Sequence, residues 1–193
     1  MSAPVRKAPA TVADLLPLWK QGLAVELIEG EIVHKAQPSI DHGSTQFKFG
    51  ELLAPFNRRG GPRGPGGWWI MTEVDTFYAK TGEVFRHDVS GYRRDLHEVR
   101  PTGMPTKTRP DWVCEILSPS NARVDLMQKQ RTLHAHEVPH YWIVDPEHET
   151  LTVLRRTDAG YLHVLAAGVG DLARAEPFEA IELSIAELFG HEE

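Results

Sequence analysis

The chain predicts a mixed α/β fold, a sheet flanked by helices, and three features carry that expectation. Residues 109–146, RPDWVCEILSPSNARVDLMQKQRTLHAHEVPHYWIVDP, read as strand, turn, helix and strand in one short run. Such a connection between two apolar strands is a crossover, which makes those strands parallel neighbours. Near both ends lie paired apolar segments joined by short glycine-bearing turns, the signature of antiparallel hairpins. Capping residues open several further segments as helices.

Taken in order, residues 1–10 read as a disordered N-terminus and 11–193 as a single domain. Thr11 to Lys20 is a short helix with Thr11 as cap and Asp14 in the first turn. Leu23 to Val33, LAVELIEGEIV, is a hairpin about Glu29-Gly30. Pro38-Ser39 opens a helix to about Arg58, with Ile40, Phe47, Leu52, Leu53 and Phe56 at roughly helical spacing. The glycine- and proline-rich run at 58–67, RRGGPRGPGG, forms a flexible basic loop. Strands follow over Trp68–Ala79 and Glu83–Tyr92, then a polar loop over 93–108. After the strand at 111–117 come a Ser-Pro-Ser-Asn turn, a helix over about 122–136 and a strand over 140–145. Thr150–Arg156 and Tyr161–Ala166 form a C-terminal hairpin, and Ser184 with Glu187 is a capping box for a last short helix.

Composition excludes some classes. With 41% hydrophobic residues and no apolar run of membrane-spanning length, the chain reads as a soluble globular protein. Its first residues lack a long apolar segment, so no secretory signal is expected. One cysteine, Cys114, lies in an apolar strand and fits a reducing cytoplasm as a buried structural thiol. A net charge of −6 argues against broad non-specific affinity for nucleic acid, while leaving room for a local basic groove.

Glu115 is the residue that carries chemistry. Trp112, Val113, Cys114, Ile116 and Leu117 flank it, so its charge needs a partner, either a metal ion or a buried cation such as Lys129. Strand alternation puts Asp111, Val113, Glu115 and Leu117 on one face and Trp112, Cys114 and Ile116 on the other. Four residues of strand span about 13 Å, too far for Asp111 and Glu115 to share one ion. Asp88, in the strand VFRHDVSGY, is the better second ligand. Two carboxylates from adjacent strands suit Mg²⁺ or Mn²⁺, which lowers the pKa of a bound water and stabilises charge on a phosphoryl oxygen. A nearby lysine would orient that water. Lys129 is the candidate; its ordinary alternative is a solvated pair with Asp125, four residues away.

These residues resemble a known family. PDWVCEILSPSN…D…K…VPHYWIVDP, with VELIEGEIV, PSIDHG and FRHDV upstream, is similar to the Uma-type restriction endonucleases of the PD-(D/E)XK nuclease superfamily. The resemblance covers most of 11–189 and implies a restriction-endonuclease-like αβββαβ core, here with N- and C-terminal β-hairpins. It implies metal-dependent hydrolysis of DNA, with Asp88 and Glu115 as metal ligands and Lys129 as the catalytic lysine, and commonly a homodimer. His87 stands where a proline is usual. Leu117 stands where the lysine is usual, the lysine having moved to Lys129. Leu133 and Glu137 replace a tyrosine and a helix-ending glycine.

Other residues are secondary. Glu26 and His42 match the resemblance; strand pairing and helix capping are their ordinary readings. Glu73 shares a face with Asp75, and cross-strand pairing with arginine is the commoner outcome there. His134, His136 and His140 do not form a zinc set, because Pro139 breaks the helix and no cysteine lies near. Arg58, Arg59 and Arg63 in the basic loop, with Arg109 and Arg123 bordering the site, are candidate phosphate contacts. Two alternatives stand beside the nuclease: a nuclease-derived binding or regulatory module that no longer cuts, and a hydrolase of RNA or of a small phosphodiester.

Overall fold

The computed structural model describes residues 8–35, 37–60, 65–118 and 124–191. Arg63, Arg123, the side chain of Asp125 and most of the Ser-Pro-Ser-Asn turn lie outside the described residues. α1 (Val12–Lys20) begins at Thr11, the expected cap, which forms a capping box with Asp14. It buries Leu15 and Trp19, one turn apart, on the first strands. Ala10, expected in the disordered N-terminus, donates its N–H to Gly30 O at 2.8 Å, which ties the chain to the hairpin just before α1.

That hairpin is β1 (Val25–Ile28) and β2 (Glu31–His34). Glu29 and Gly30 both have positive φ, 51° and 79°, as a two-residue turn matched to strand twist requires. α2 (Ile40–Leu52) starts at Ser39, whose hydroxyl accepts from His42 N, and ends earlier than the sequence suggests. Ile40 and Phe47, assigned to its apolar face, are 90% and 66% exposed. The face turned inward is His42, Thr45, Phe49 and Leu53, so the site end of α2 buries polar residues where a hydrophobic pattern looks for apolar ones.

β3 (Trp68–Tyr78) and β4 (Glu83–Arg93) form a long antiparallel pair. β5 (Trp112–Ile116) pairs antiparallel with β4 and parallel with β6 (His140–Asp145), as the crossover predicts. Between β5 and β6 the described chain enters a π-helical segment, Val124–Lys129, followed by α3 (Gln130–Ala135). β7 (Thr150–Thr157) and β8 (Gly160–Gly168) extend the sheet to the order β2-β1-β4-β5-β6-β7-β8, with β3 on the free side of β4. A small pair, β9 (Leu172–Ala173) and β10 (Leu183–Ser184), precedes α4 (Ile185–Leu188), which Ser184 caps. This is the αβββαβ core with a hairpin at each end.

The sheet is buried on both faces. Trp112, Cys114 and Ile116 pack with Phe49, Trp142 and Phe178 on one side. Val113 packs with Phe85, Leu133 and Tyr141 on the other, so the alternation read from the sequence holds. Among the described residues no helix is long and apolar enough to cross a membrane.

Candidate active site

The site sits in a fork. One edge of β4 pairs with β3 along its length, while the other is shared by β1, at Val84, and β5, at Val89–Gly91. Arg86, His87 and Asp88 lie between those two partners, where backbone groups have no neighbouring strand and side chains must satisfy them. Glu26 Oε1 accepts from Arg86 N at 2.8 Å, and Lys35 Nζ donates to Arg86 O at 2.9 Å. Gln46 Nε2 reaches Asp88 O at 2.8 Å, and Asp88 Oδ2 accepts from Ile116 N at 2.7 Å. Opposite Asp88 the β3–β4 ladder skips Glu73, which has a left-handed φ of 53°.

This break lets two consecutive β4 residues both engage β5, which regular alternation forbids. Asp88 caps the backbone of Ile116, and His87 Nδ1 lies 2.5 Å from Glu115 Oε1. Tyr78 OH closes the chain at 2.6 Å from His87 Nε2. Lys129 is 2% exposed, so it is not the solvated lysine of the ordinary reading. Its Nζ lies 3.1 Å from Glu115 Oε2 and 3.2 Å from Glu26 Oε1. Lys35 Nζ lies 2.5 Å from Asp88 Oδ1 and 3.6 Å from Glu73 Oε2, and His42 Nε2 lies 3.2 Å from Asp88 Oδ2. Asp88, Glu115, Lys129, Lys35, His42 and Glu73 border one cavity of about 90 Å³.

Electrostatics separate the two candidate ligands. Burial disfavours the Asp88 carboxylate, but the His42 hydrogen bond and the Lys35 and Lys129 ammonium groups outweigh it and hold Asp88 well below the usual carboxylate range. Burial pushes Glu115 up to about 8, beyond what Lys129 recovers, and Asp88 adds to the rise. Burial, followed by the Lys129 charge, takes His87 down to about 3, so its ring is neutral. Lys35 is raised: burial works against its charge, but Asp88 and Glu115 prevail.

A divalent metal ion fits this donor set. Three buried carboxylates, Glu26, Asp88 and Glu115, face two ammonium groups, the buried Lys129 and the partly buried Lys35, with His87 neutral. Ionising Glu115 would leave the cluster one positive charge short, and burial, with Asp88 adding to it, holds its proton on to about 8. Among the described residues no group of three or more His, Cys, Asp or Glu converges on one point. Two carboxylates are the set on which Mg²⁺ is commonly held, with water and phosphate completing its shell.

The structure thus brings together Asp88, Glu115 and Lys129, with Glu26, His42 and Glu73 around them. It adds Lys35, His87, Tyr78 and Gln46, which the sequence reading missed; His87, beside Asp88, was the one with a visible signal. Of the described candidate arginines, it does not bring in Arg58, Arg59 or Arg109. Arg109 lies at the far end of β5, with Nη2 3.1 Å from Asp111 Oδ1 and Nη1 2.5 Å from Glu137 O. Arg58 and Arg59 follow α2 at the Trp68 end of β3, where Arg58 Nε donates to Pro55 O at 3.0 Å. Asp75 makes the cross-strand pair with Arg86, at 2.7 and 3.0 Å. His134, His136 and His140 turn to separate partners, Thr157 O, Thr81 and Glu176.

Comparison with known proteins agrees with this architecture. A crystallised protein described as a "putative nuclease belonging to DUF820", from Anabaena variabilis ATCC 29413, superposes with a TM-score of 0.67 at 21% identity, covering 94% of this chain and 98% of that one. At that identity the likeness speaks to the fold. No curated protein matches the chain. Residues 12–186 match the Uma2 family, described as "Putative restriction endonuclease", which supports nuclease action in general. The match spans most of the chain, which belongs to the Uma2 family.

Proposed function

We propose that this chain hydrolyses phosphodiester bonds of DNA with a divalent metal ion, Mg²⁺ or Mn²⁺, held by Asp88 and Glu115. The observation that carries the reading is the meeting of these two buried carboxylates and the buried Lys129 at one cavity. The family's description as a restriction endonuclease is the reason for naming DNA.

Each residue has a part. Asp88 stays ionised because Lys35 and His42 hold it so, and it is the standing anionic ligand. Glu115 completes the pair once its proton has left. What Mg²⁺ or Mn²⁺ would supply there is Lewis acidity, toward a water and a phosphoryl oxygen. Lys129, pinned between Glu26 and Glu115, presents its ammonium group to the attacking water and to the charge that grows on phosphorus oxygens. Lys35 and His42, on the Asp88 side, favour a phosphate at the rim. One such site cuts one strand, so duplex cleavage calls for two copies; the edge strand β8, with Leu162 half exposed, is the surface we assign to that contact.

A specific observation favours a second reading, a module that binds nucleic acid without cutting it. Lys35 Nζ lies 2.5 Å from Asp88 Oδ1, an oxygen the metal would need. Incubation with plasmid, single-stranded DNA and RNA in Mg²⁺ or Mn²⁺, with Lys129→Ala as control, separates the readings. Metal-dependent cleavage of DNA that Lys129→Ala loses supports the nuclease. Binding without cleavage supports the module, and cleavage confined to RNA moves the substrate class.

A further inference from the structure

Glu115 could offer a cation either of its oxygens or both, and the fold narrows that choice. Oε2 is the oxygen beside Lys129, at 3.1 Å. Oε1 is taken by His87 Nδ1 at 2.5 Å, and behind the ring Tyr78 OH lies 2.6 Å from Nε2. Tyr78, His87 and Glu115 are all buried, and no solvent competes for these bonds. A neutral imidazole has one N–H and one acceptor nitrogen. If Nε2 accepts the Tyr78 hydroxyl proton, the ring proton must sit on Nδ1 and point at Glu115 Oε1. With Glu115 ionised, as a metal ligand must be, the opposite tautomer would set two lone pairs against each other at 2.5 Å. Three strands build the arrangement, with Tyr78 at the end of β3, His87 in the β4 fork and Glu115 in β5. Two mutually packed aromatic rings meet the imidazole edge to face, Tyr78 at 5.8 Å and Phe85 at 6.2 Å between ring centroids.

We propose that Tyr78 and His87 are positioning residues of the site: the tyrosine fixes the histidine tautomer, and the histidine binds Glu115 Oε1, so that Oε2 is the oxygen offered to the metal. The inference rests on the metal-dependent reading above. Partners of this kind, which orient a ligand without touching the metal, typically contribute about 10–100-fold in metal affinity. Neither residue touches the water or the phosphate.

The test is calorimetric titration of Mn²⁺ into the full chain, native and as His87→Leu, His87→Asn, Tyr78→Phe and Glu115→Gln, with urea unfolding of each in the absence of metal. Native chain should bind Mn²⁺, Glu115→Gln should lose most of that binding, and His87→Leu should bind about 10–100-fold more weakly. His87→Asn should return toward the native affinity, because its amide N–H can stand where Nδ1–H stood. Tyr78→Phe should fall between, and it decides the matter if His87→Leu fails to fold, since it removes a single oxygen. Native-like Mn²⁺ affinity in both His87→Leu and Tyr78→Phe overturns the inference and leaves the metal reading intact. So does an His87→Asn affinity as weak as that of His87→Leu, which would trace the loss to packing. A native chain that binds no Mn²⁺ overturns both.

Discussion

The two ends of β5 carry carboxylates that are equally buried and differently treated. Asp111 and Glu115 are each 1% exposed. Asp111 draws its donors from the periphery, Arg93 N at 2.8 Å and Arg109 at 3.1 Å, with His97 Nε2 3.2 Å from Oδ2. Those groups belong to the chain around the sheet's end and are themselves partly open to water, so the Asp111 charge is met locally. Glu115 shares the buried Lys129 and the partly buried Lys35 with Asp88 and Glu26, beside a cavity, and burial leaves its proton hard to remove. A structural carboxylate is saturated by its surroundings. Glu115, the metal ligand of the proposed function, sits in a cluster that would be short of positive charge once it ionises.

The largest effect should come from breaking the deficient end alone. Asp88→Ala and Glu115→Ala should abolish metal-dependent cleavage, while Asp111→Asn retains it. The same contrast should appear in stability without any substrate. A metal at a hundredfold excess over its Kd stabilises the native chain by about 2.7 kcal/mol, and this increment should vanish in Asp88→Ala and Glu115→Ala and survive in Asp111→Asn. Thermal melts with and without Mn²⁺ measure it. An increment that persists in Glu115→Ala would place the metal elsewhere.

Lys129 sharpens the contrast from the cationic side. Lys129→Met leaves Glu26 and Glu115 facing each other without their shared ammonium, which should cost about 3–5 kcal/mol in metal-free chain. It also removes a positive charge from the metal's neighbourhood, so Mn²⁺ affinity should hold or rise while cleavage is lost. A drop in both affinity and cleavage would mean that Lys129 orders the site rather than assisting the chemistry.

The deficient end should also impose a pH signature on the metal-free protein. Glu115 keeps its proton in the native state to about 8, against 4.5 when unfolded, so between those values the native state binds more protons and stability falls as pH rises. His87 works oppositely: its native value is about 3 against 6.5, so the unfolded state binds more protons between them and stability rises with pH. These two slopes offset each other between about 4.5 and 6.5; from about 6.5 to 8 the Glu115 slope is unopposed by His87, and the exposed His148, raised by Asp145, runs in the same direction. Stability should therefore decline across that upper window by up to about 1.4 kcal/mol per pH unit. Glu115→Gln should flatten the decline, and Asp111→Asn should leave it in place. Urea unfolding from pH 4.5 to 8.5 reads the difference.

How much of this was legible depended on how local each signal was. The crossover and the β5 alternation came from period and length, and burial on both faces enforces them. Lys129 was found through its helix, although the π-helical turn that delivers it had no signature. Glu26 and His42 were matched without a role, because their role depends on the fork between β1 and β5. Lys35 and Tyr78 were missed for the same reason: each reaches the site across strands whose divergence no residue pattern announces. Ile40 and Phe47 misled because α2 turns polar residues toward the site. Glu137, standing where the resemblance calls for glycine, does end α3, and it does so in the left-handed conformation, with φ of 60°.

The smallest effect belongs to Arg109, which the sequence offered as a phosphate contact and the fold commits to the saturated end. Its Nη2 meets Asp111 and its Nη1 the Glu137 carbonyl, so a phosphate would have to compete with both. Arg109 lies in a partly exposed position, where such a pair contributes about 1 kcal/mol or less, and Arg109→Ala should lower stability by no more than that. It should leave DNA affinity and its salt dependence unchanged. Loss of a true phosphate contact would instead reduce the slope of log affinity against log salt by about 1. A reduced slope in Arg109→Ala would mean that the arginine leaves Asp111 for DNA. The two ends of β5 would then be coupled through the substrate, and the saturation of Asp111 would be a property of the free protein alone.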